Sequence, residues 1–167
     1  TLRSAFGYGG QKCSAASRVL VHRAIAERFL RRLAEAIDRL VLGDPADPGT
    51  DVGPLIDAAA QQRLREAATR AAQGGTVAYR YPDARVPADG YFVGPLVVTD
   101  LAPQDPLVRE ELFGPLVCAF RVGGFEEALA LANDTEYALT GGLYSRSPAH
   151  IEQAIQAFDV GNLYINR

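Results

Sequence analysis

Hydrophobic and polar residues follow two different periods along this chain, and each period predicts one kind of element. Short apolar runs rich in β-branched residues, which are typical of buried strands, lie at residues 18–21, 76–79, 91–93, 96–99, 116–122, 139–144 and 162–165. Apolar residues recurring at helical spacing predict helices at about 25–41, 58–73, 125–133 and 148–158, the second of them capped by Asp57. Residues 106–112 predict one or two helical turns. Strands that alternate with helices predict an α/β domain with a parallel-dominated sheet flanked by helices.

Two segments between these elements are rich in turn-forming residues. Residues 43–56 carry Gly, Asp and Pro without periodicity, which indicates a loop. Val52, Leu55 and Ile56 within this segment favour an ordered loop that packs on another part of the chain, rather than a free linker. Residues 81–90 are rich in Pro, Asp and Gly and predict a turn or an exposed loop.

The composition narrows the class of protein. With 167 residues and a net charge of −3, the chain has the size of one soluble domain and no basic patch for nucleic acid. Its apolar runs are far shorter than a membrane span, and its residues contain no recognisable secretory signal. Cys13 and Cys118 are too few for a disulfide framework and lack zinc-ligand spacing, so a reducing, cytoplasmic setting fits best. Because the chain begins at Thr1 and ends directly after an apolar run, we expect it to be part of a longer polypeptide.

One cysteine lies in a setting that suits a nucleophile. Cys13 follows the pair Gly9 and Gly10, directly after Lys12 and before Ser14. A thiol attacks as the thiolate, and a neighbouring positive charge lowers the pKa of a thiol toward that form. Glycines adopt backbone conformations closed to other residues and leave room for an approaching ligand. A structural cysteine would also fit this setting, so these residues alone leave both interpretations open.

Three motifs together resemble the aldehyde dehydrogenase superfamily. Residues 6–13 resemble the active-site cysteine signature of that family, and residues 43–54 resemble the loop that follows it. Residues 110–115, which read Glu-Glu-Leu-Phe-Gly-Pro, resemble the cofactor-contacting motif. The motifs occur in the family's order and cover essentially the whole chain. Residues 10–18 and 162–167, the latter reading Asn-Leu-Tyr-Ile-Asn-Arg, resemble the 1-pyrroline-5-carboxylate dehydrogenases. Those family members oxidise glutamate semialdehyde to glutamate with NAD in proline catabolism.

The resemblance implies the fold of an aldehyde dehydrogenase catalytic domain and a role for four residues. Cys13 would be the catalytic nucleophile that forms a thiohemiacetal and then a thioester, with its backbone N–H as one oxyanion donor. Glu111 would bind the ribose of the cofactor NAD, Phe113 would pack beside the nicotinamide, and Ser14 would bind the substrate carboxylate. The residues alone are also compatible with a solvated Glu111 and a core-packed Phe113. The role of Lys12 stays open.

The resemblance also implies that residues 1–167 are a partial catalytic domain. The cofactor-binding domain, an asparagine oxyanion donor and a glutamate base would belong to sequence before Thr1. We therefore expect the isolated chain to be inactive. We expect the longer polypeptide to form a homo-oligomer and to act on a small-molecule aldehyde, without a metal, nucleic acid or membrane segment.

Two other functions stay open at this stage. The substrate could be a different aldehyde, or the chain could be a self-contained cysteine acyltransferase or hydrolase. The latter needs a base beside Cys13, and only His22 and His150 could supply an imidazole. Neither histidine lies in a metal or triad pattern. Cys118, inside an apolar strand, is interpreted as an inert core thiol.

Overall fold

The protein contains six α-helices and six β-strands, and the computed structural model describes residues 1–167. The helices are α1 (Leu2–Phe6), α2 (Arg23–Asp38), α3 (Ala58–Gly74), α4 (Pro106–Arg109), α5 (Phe125–Asn133) and α6 (Pro148–Ala157). The strands are β1 (Arg18–His22), β2 (Thr76–Arg80), β3 (Leu96–Thr99), β4 (Leu116–Val122), β5 (Thr140–Leu143) and β6 (Asn162–Ile165). Short 3₁₀ helices lie at Gly7–Gly10 and Asp83–Arg85.

Four strands form the central sheet, in the spatial order β1–β4–β3–β2. Strands β1, β4 and β3 run parallel, and β2 joins one edge in the antiparallel direction. Strands β5 and β6 form a separate parallel pair. The predicted α/β fold with a mostly parallel sheet is therefore confirmed. Because parallel strands share one direction, the segments that precede β1, β4 and β3 meet at the amino-terminal edge of the sheet.

The central sheet is covered on both faces, as parallel sheets generally are. Alternate residues of β4 point to opposite sides. Cys118 belongs to a buried cluster with Leu64 of α3, whereas Val117 belongs to one with Ile37 of α2. All four residues of β3 are buried as well. This double packing holds α2 and α3 against the sheet and positions the loops at its amino-terminal edge.

The predicted elements agree best with the observed ones where the apolar pattern of the sequence is strong. Strands β4 and β6 and helix α5 have the predicted bounds. Asp57 caps α3, because its carboxylate accepts a hydrogen bond from the Ala60 N–H at 2.7 Å. Helix α1 lies outside all of the predicted elements.

One predicted strand is wrong, and one predicted helix is at the short end of its predicted length. Residues 91–93 form no strand, because the Tyr91 carbonyl accepts from the Leu55 N–H and the Phe92 carbonyl from the Gln61 side chain, both at 2.9 Å. The one or two helical turns predicted within 106–112 are confirmed as a single turn that ends at Arg109. Glu110 adopts an extended backbone, with φ −88° and ψ 148°, and begins the segment that leads to β4.

None of the six helices combines the length and the apolar character that crossing a bilayer requires.

Candidate active site

Cys13 lies on a turn just before β1. Helix α1 anchors this region through Phe6, which is buried. Three consecutive left-handed residues then reverse the chain: Tyr8, Gly9 and Gly10, with φ of 56°, 64° and 71°. The turn that carries the cysteine is closed by the Ala15 N–H, which donates to the Lys12 carbonyl at 2.9 Å. Cys13 itself is exposed, so its sulfur is accessible from solvent.

The neighbours of Cys13 are also at the surface. Ser14 is exposed, and the Lys12 ammonium lies 5.2 Å from the centroid of the Tyr8 ring. That distance is within the range of a cation–π interaction. Tyr8 is 77% exposed, so this pair lies at the surface of the loop, in contact with solvent.

The loop before Cys13 packs against the segment before β4. A side chain at Gly10 would overlap the carbonyl group of Gly114, and its first carbon would lie 3.0 Å from the Ala5 carbonyl oxygen. Gly114 in turn has no room for a side chain, because one would overlap Leu64 of α3. Because both residues are glycines, the backbone of the Cys13 loop touches the backbone of the segment before β4, and the Leu64 side chain of α3 packs against Gly114. This contact brings the Cys13 loop and the Glu111–Phe113 segment to the same edge of the sheet.

The Glu111–Phe113 segment presents its two candidate side chains outward. Glu111 is exposed, and its carboxylate has no hydrogen-bond or ion-pair partner within the chain. Phe113 has a left-handed backbone with φ 53° and is 40% exposed, which is more than core packing explains. Leu112 between them is the buried member, and its carbonyl accepts from Arg63 Nε at 3.3 Å. A free carboxylate beside an exposed ring suits hydroxyl groups and an aromatic ligand.

Gln11 connects the Cys13 loop to the loop at 43–56. Its side-chain amide donates to the Pro54 carbonyl at 3.2 Å, and its side-chain oxygen accepts from the Ile56 N–H at 2.9 Å. Val52 and Leu55 are buried, at 2% and 4% exposure. The prediction of an ordered loop packed on another part of the chain is therefore confirmed for Val52 and Leu55, but it is wrong for Ile56, whose side chain is 80% exposed.

The candidate residues lie outside a cavity that borders α3. A cavity of about 490 Å³ lies between α3 and the loop around residues 81–94, and it reaches Pro115 and Leu116. Cys13, Ser14 and Phe113 are not among its walls. They lie on an open surface beside it, so this part of the chain does not enclose a ligand by itself.

Neither histidine approaches Cys13. His22 lies at the carboxyl end of β1, whereas Cys13 lies beyond the opposite end, and the Nδ1 atom of His22 accepts from the Ala24 N–H at 3.2 Å. His150 of α6 stacks on the Phe125 ring with a centroid distance of 4.4 Å. Both imidazoles therefore have structural roles, and no imidazole base stands beside the exposed thiol.

Cys118 is an inert core thiol, as its apolar strand predicts. It is 1% exposed, and its sulfur lies 3.7 Å from the Leu107 carbonyl oxygen, to which the thiol donates. Burial raises the pKa of Cys118 to about 12, and the charge of Asp105 adds to the effect while that of Arg18 opposes it. A thiol of this kind is a poor nucleophile near neutral pH.

Two residues near the site have contacts that the sequence did not indicate. The Tyr137 hydroxyl accepts a hydrogen bond from the Glu111 N–H at 3.1 Å. Arg18 donates to the Leu131 and Ala132 carbonyls at 3.0 and 2.9 Å. Arg18 and Gln11 lie in the motifs that carry the resemblance, but no pattern in the sequence pairs Tyr137 with Glu111.

Comparison with known proteins places this arrangement in a family. The profile described as the aldehyde dehydrogenase family matches residues 1–167. The 1-pyrroline-5-carboxylate dehydrogenase of Bacillus cytotoxicus is 43% identical over 165 residues, which cover 98% of this chain and 32% of that protein. The chain therefore belongs to the aldehyde dehydrogenase family, and it spans about a third of the length of this relative.

Two crystal structures share the fold of the chain. One is 1-pyrroline-5-carboxylate dehydrogenase from Thermus with bound NAD, with a TM-score of 0.89 and 40% identity, covering 99% of this chain and 32% of that one. The other is proline utilization A from Bdellovibrio bacteriovorus, inactivated by N-propargylglycine. It has a TM-score of 0.95 and 39% identity, and the match covers 99% of this chain and 17% of that one.

Proposed function

We propose that the polypeptide carrying this chain oxidises glutamate semialdehyde, the open form of 1-pyrroline-5-carboxylate, to glutamate with NAD in proline catabolism. The observation that carries the proposal is an exposed cysteine on a loop packed against the Glu111–Phe113 segment, in a chain about 40% identical to 1-pyrroline-5-carboxylate dehydrogenases over almost its whole length. In this proposal, residues 1–167 are part of the catalytic domain of a cytoplasmic, homo-oligomeric enzyme.

Cys13 is the nucleophile in this mechanism. Its thiolate sulfur attacks the aldehyde carbon, and the carbonyl electron pair moves to oxygen to give a thiohemiacetal. The backbone N–H of Cys13 is available as one donor to that oxygen, because no group of the chain accepts from it. Loss of hydride from the same carbon leaves a thioester. Water then attacks the thioester, releases the carboxylic acid and returns the thiol.

Glu111 and Phe113 are the proposed contacts to the cofactor. Both side chains are exposed on the segment that packs against the Cys13 loop, and the Glu111 carboxylate is free to accept from two ribose hydroxyls at once. The Phe113 ring offers an apolar face for the nicotinamide. NAD, when bound, supplies the acceptor for the hydride. The charge of Glu111 and the flat ring of Phe113 therefore fit the ribose and the nicotinamide of NAD.

Ser14 is the proposed contact to the substrate carboxylate. Its exposed hydroxyl is adjacent in sequence to the nucleophile, and a hydroxyl donates readily to a charged carboxylate. A substrate held by its carboxylate would place its aldehyde near Cys13. The remaining carboxylate donors, the second oxyanion donor and the base for thioester hydrolysis belong, in this proposal, to other parts of the longer polypeptide.

The experiment compares NADH formation from glutamate semialdehyde by the full-length polypeptide and by its Cys13→Ala and Cys118→Ala variants. Cys13→Ala should abolish turnover, whereas Cys118→Ala should mainly lower stability. The isolated 167-residue chain should form no NADH above background. NADH formation by Cys13→Ala would overturn the assignment of the nucleophile.

A second candidate function is the oxidation of another aldehyde by the same residues. The family profile matches the whole chain without specifying a substrate. A panel of aldehydes with and without a carboxylate separates the two functions. A marked preference for glutamate semialdehyde, reduced in Ser14→Ala, supports the first function, and equal turnover of aldehydes without a carboxylate supports the second.

A further inference from the structure

The segment that carries Glu111 is held unevenly along its length. Its downstream end is anchored in the core, because Leu112 is buried and the Leu112 carbonyl accepts from Arg63. At its upstream end the Glu110 N–H still donates to the Pro106 carbonyl of α4 at 2.8 Å, but the helix has ended and Glu110 and Glu111 are exposed. Glu111 lies between these two attachments, and its own backbone needs a further contact to fix its orientation.

One group makes that contact. The Glu111 N–H donates to the Tyr137 hydroxyl oxygen at 3.1 Å, and no other group of the chain accepts from this N–H. Tyr137 lies in the turn that follows α5, and its own N–H donates to Thr135 Oγ1 at 3.2 Å. A side-chain hydroxyl thus replaces the backbone partner that α4 would have provided if it had continued.

The turn that presents Tyr137 is itself fixed to the same region. The Asp134 carboxylate accepts from Arg109 at 2.8 Å and from the Gln104 amide at 3.0 Å. The Asp134 backbone carbonyl also accepts from Arg109, at 2.9 Å. These bonds attach the turn to the last residue of α4 and to the loop before it. The turn that carries Tyr137 is therefore fixed to the same helix end from which the Glu111 segment begins.

The same turn is connected to the strand that follows Cys13. Arg18, the first residue of β1, donates to the carbonyls of Leu131 and Ala132 near the end of α5. These carbonyls have no partner within their helix, as is usual for the last turn. One turn therefore contacts both the strand that follows Cys13 and the segment that carries Glu111.

We infer that Tyr137 is a positioning residue, whose hydroxyl holds the backbone of Glu111 at the distance from the Cys13 loop that cofactor binding needs. The inference rests on the proposed function in one respect, since it assumes that Glu111 contacts NAD. It predicts that removal of the hydroxyl oxygen lets the segment move while the fold stays intact, because Tyr137 is 53% exposed and packs little apolar area.

The first test measures the position of the segment in the 167-residue chain, without any ligand. Amide hydrogen exchange is followed by NMR in the wild type, in Tyr137→Phe and in the control Tyr164→Phe. Tyr164 is also exposed, and its hydroxyl has no hydrogen-bond partner in the chain. Tyr137→Phe should speed exchange of the Glu111 amide by roughly tenfold, as expected for the loss of one hydrogen bond. Unchanged exchange at Glu111 would overturn the inference.

The second test measures catalysis by the full-length polypeptide. Tyr137→Phe should raise the KM for NAD roughly three- to tenfold and leave kcat within about twofold, because a hydrogen bond of ordinary strength is lost outside the reacting atoms. Tyr164→Phe should leave both constants unchanged. A wild type that forms no NADH overturns the proposed function and this inference together. A wild type that turns over, with an unchanged KM in Tyr137→Phe, overturns the inference alone.

Discussion

Gly10 and Gly114 touch through their backbones at the amino-terminal edge of the sheet. A side chain at Gly10 would overlap the Gly114 carbonyl, and Gly10 also has a left-handed backbone with φ 71°. The two glycines come from distant parts of the sequence, one before β1 and the other before β4. Their contact brings the loop that carries Cys13 and the segment that carries Glu111 into one region.

Gly10→Ala should destabilise the protein. The left-handed backbone alone costs a residue with a side chain about 1–2 kcal/mol, and displacement of the Gly114 carbonyl adds to that cost. The free energy of unfolding, measured by urea titration, should fall by at least this amount. In the control Gly142→Ala, the new carbon would lie 3.8 Å from its nearest neighbour, so the change should be within about 1 kcal/mol. Equal effects at both positions would contradict the importance of the contact.

The two cysteines should differ strongly in reactivity. Cys13 is exposed, whereas Cys118 is 1% exposed and has its pKa raised to about 12 by burial. Iodoacetamide near neutral pH should therefore modify Cys13 and leave Cys118 unmodified, as mapped by mass spectrometry. The same reaction in denaturant should modify both. Equal rates in the folded protein would show that Cys118 is accessible and would weaken the case for Cys13 as the selective nucleophile.

The stability of the protein should decrease at alkaline pH because of Cys118. The pKa of this thiol rises from 9.0 to about 12 on folding, so the unfolded chain loses the proton first. Between these two values the unfolded state binds fewer protons, and stability falls as pH rises, by up to about 1.4 kcal/mol per pH unit for one proton. Stability below pH 9 carries no such loss from this group.

Urea titrations over this pH range can isolate the contribution of Cys118. Cys118→Ala should lower the overall stability but flatten its pH dependence. Burial also raises the pKa of Tyr79, from 10.0 to about 12, so Tyr79 contributes only at the upper end of this pH range. The comparison of the two proteins is therefore clearest near pH 9 to 10. An equally steep decline in wild type and variant would contradict this assignment.

Gln11 should stabilise both loops that it joins. Gln11→Ala removes the bonds to Pro54 and Ile56 and should lower the free energy of unfolding by about 1–3 kcal/mol. Limited proteolysis should then cut the 43–56 loop faster. Gln73→Ala is the matched control, because Gln73 is exposed on α3 and its side chain makes no hydrogen bond. A loop that stays resistant to protease in Gln11→Ala would show that its apolar contacts alone hold it.

The contact between Tyr137 and Glu111 illustrates what the sequence could not predict. Local patterns predict elements, and they placed β4, β6 and α5 at their observed bounds. A hydrogen bond from a backbone N–H to a distant side chain leaves no periodic trace, because it depends on where two separate elements lie. The end of α4 at Arg109 likewise depends on tertiary contacts, because the next residues extend toward β4 and are held by Tyr137 and Arg63.

The sequence by itself determined the α/β class and the cap at Asp57, and its resemblance to a known family proposed Cys13, Ser14, Glu111 and Phe113 as candidate residues. It could do so because apolar periodicity and short motifs are local properties of a chain. Only the tertiary structure decided that the Cys13 loop and the Glu111 segment meet, that both histidines lie elsewhere, and that residues 91–93 pair with no strand. The physical reason is that parallel strands bring together the loops at one end of the sheet, whatever their separation along the chain.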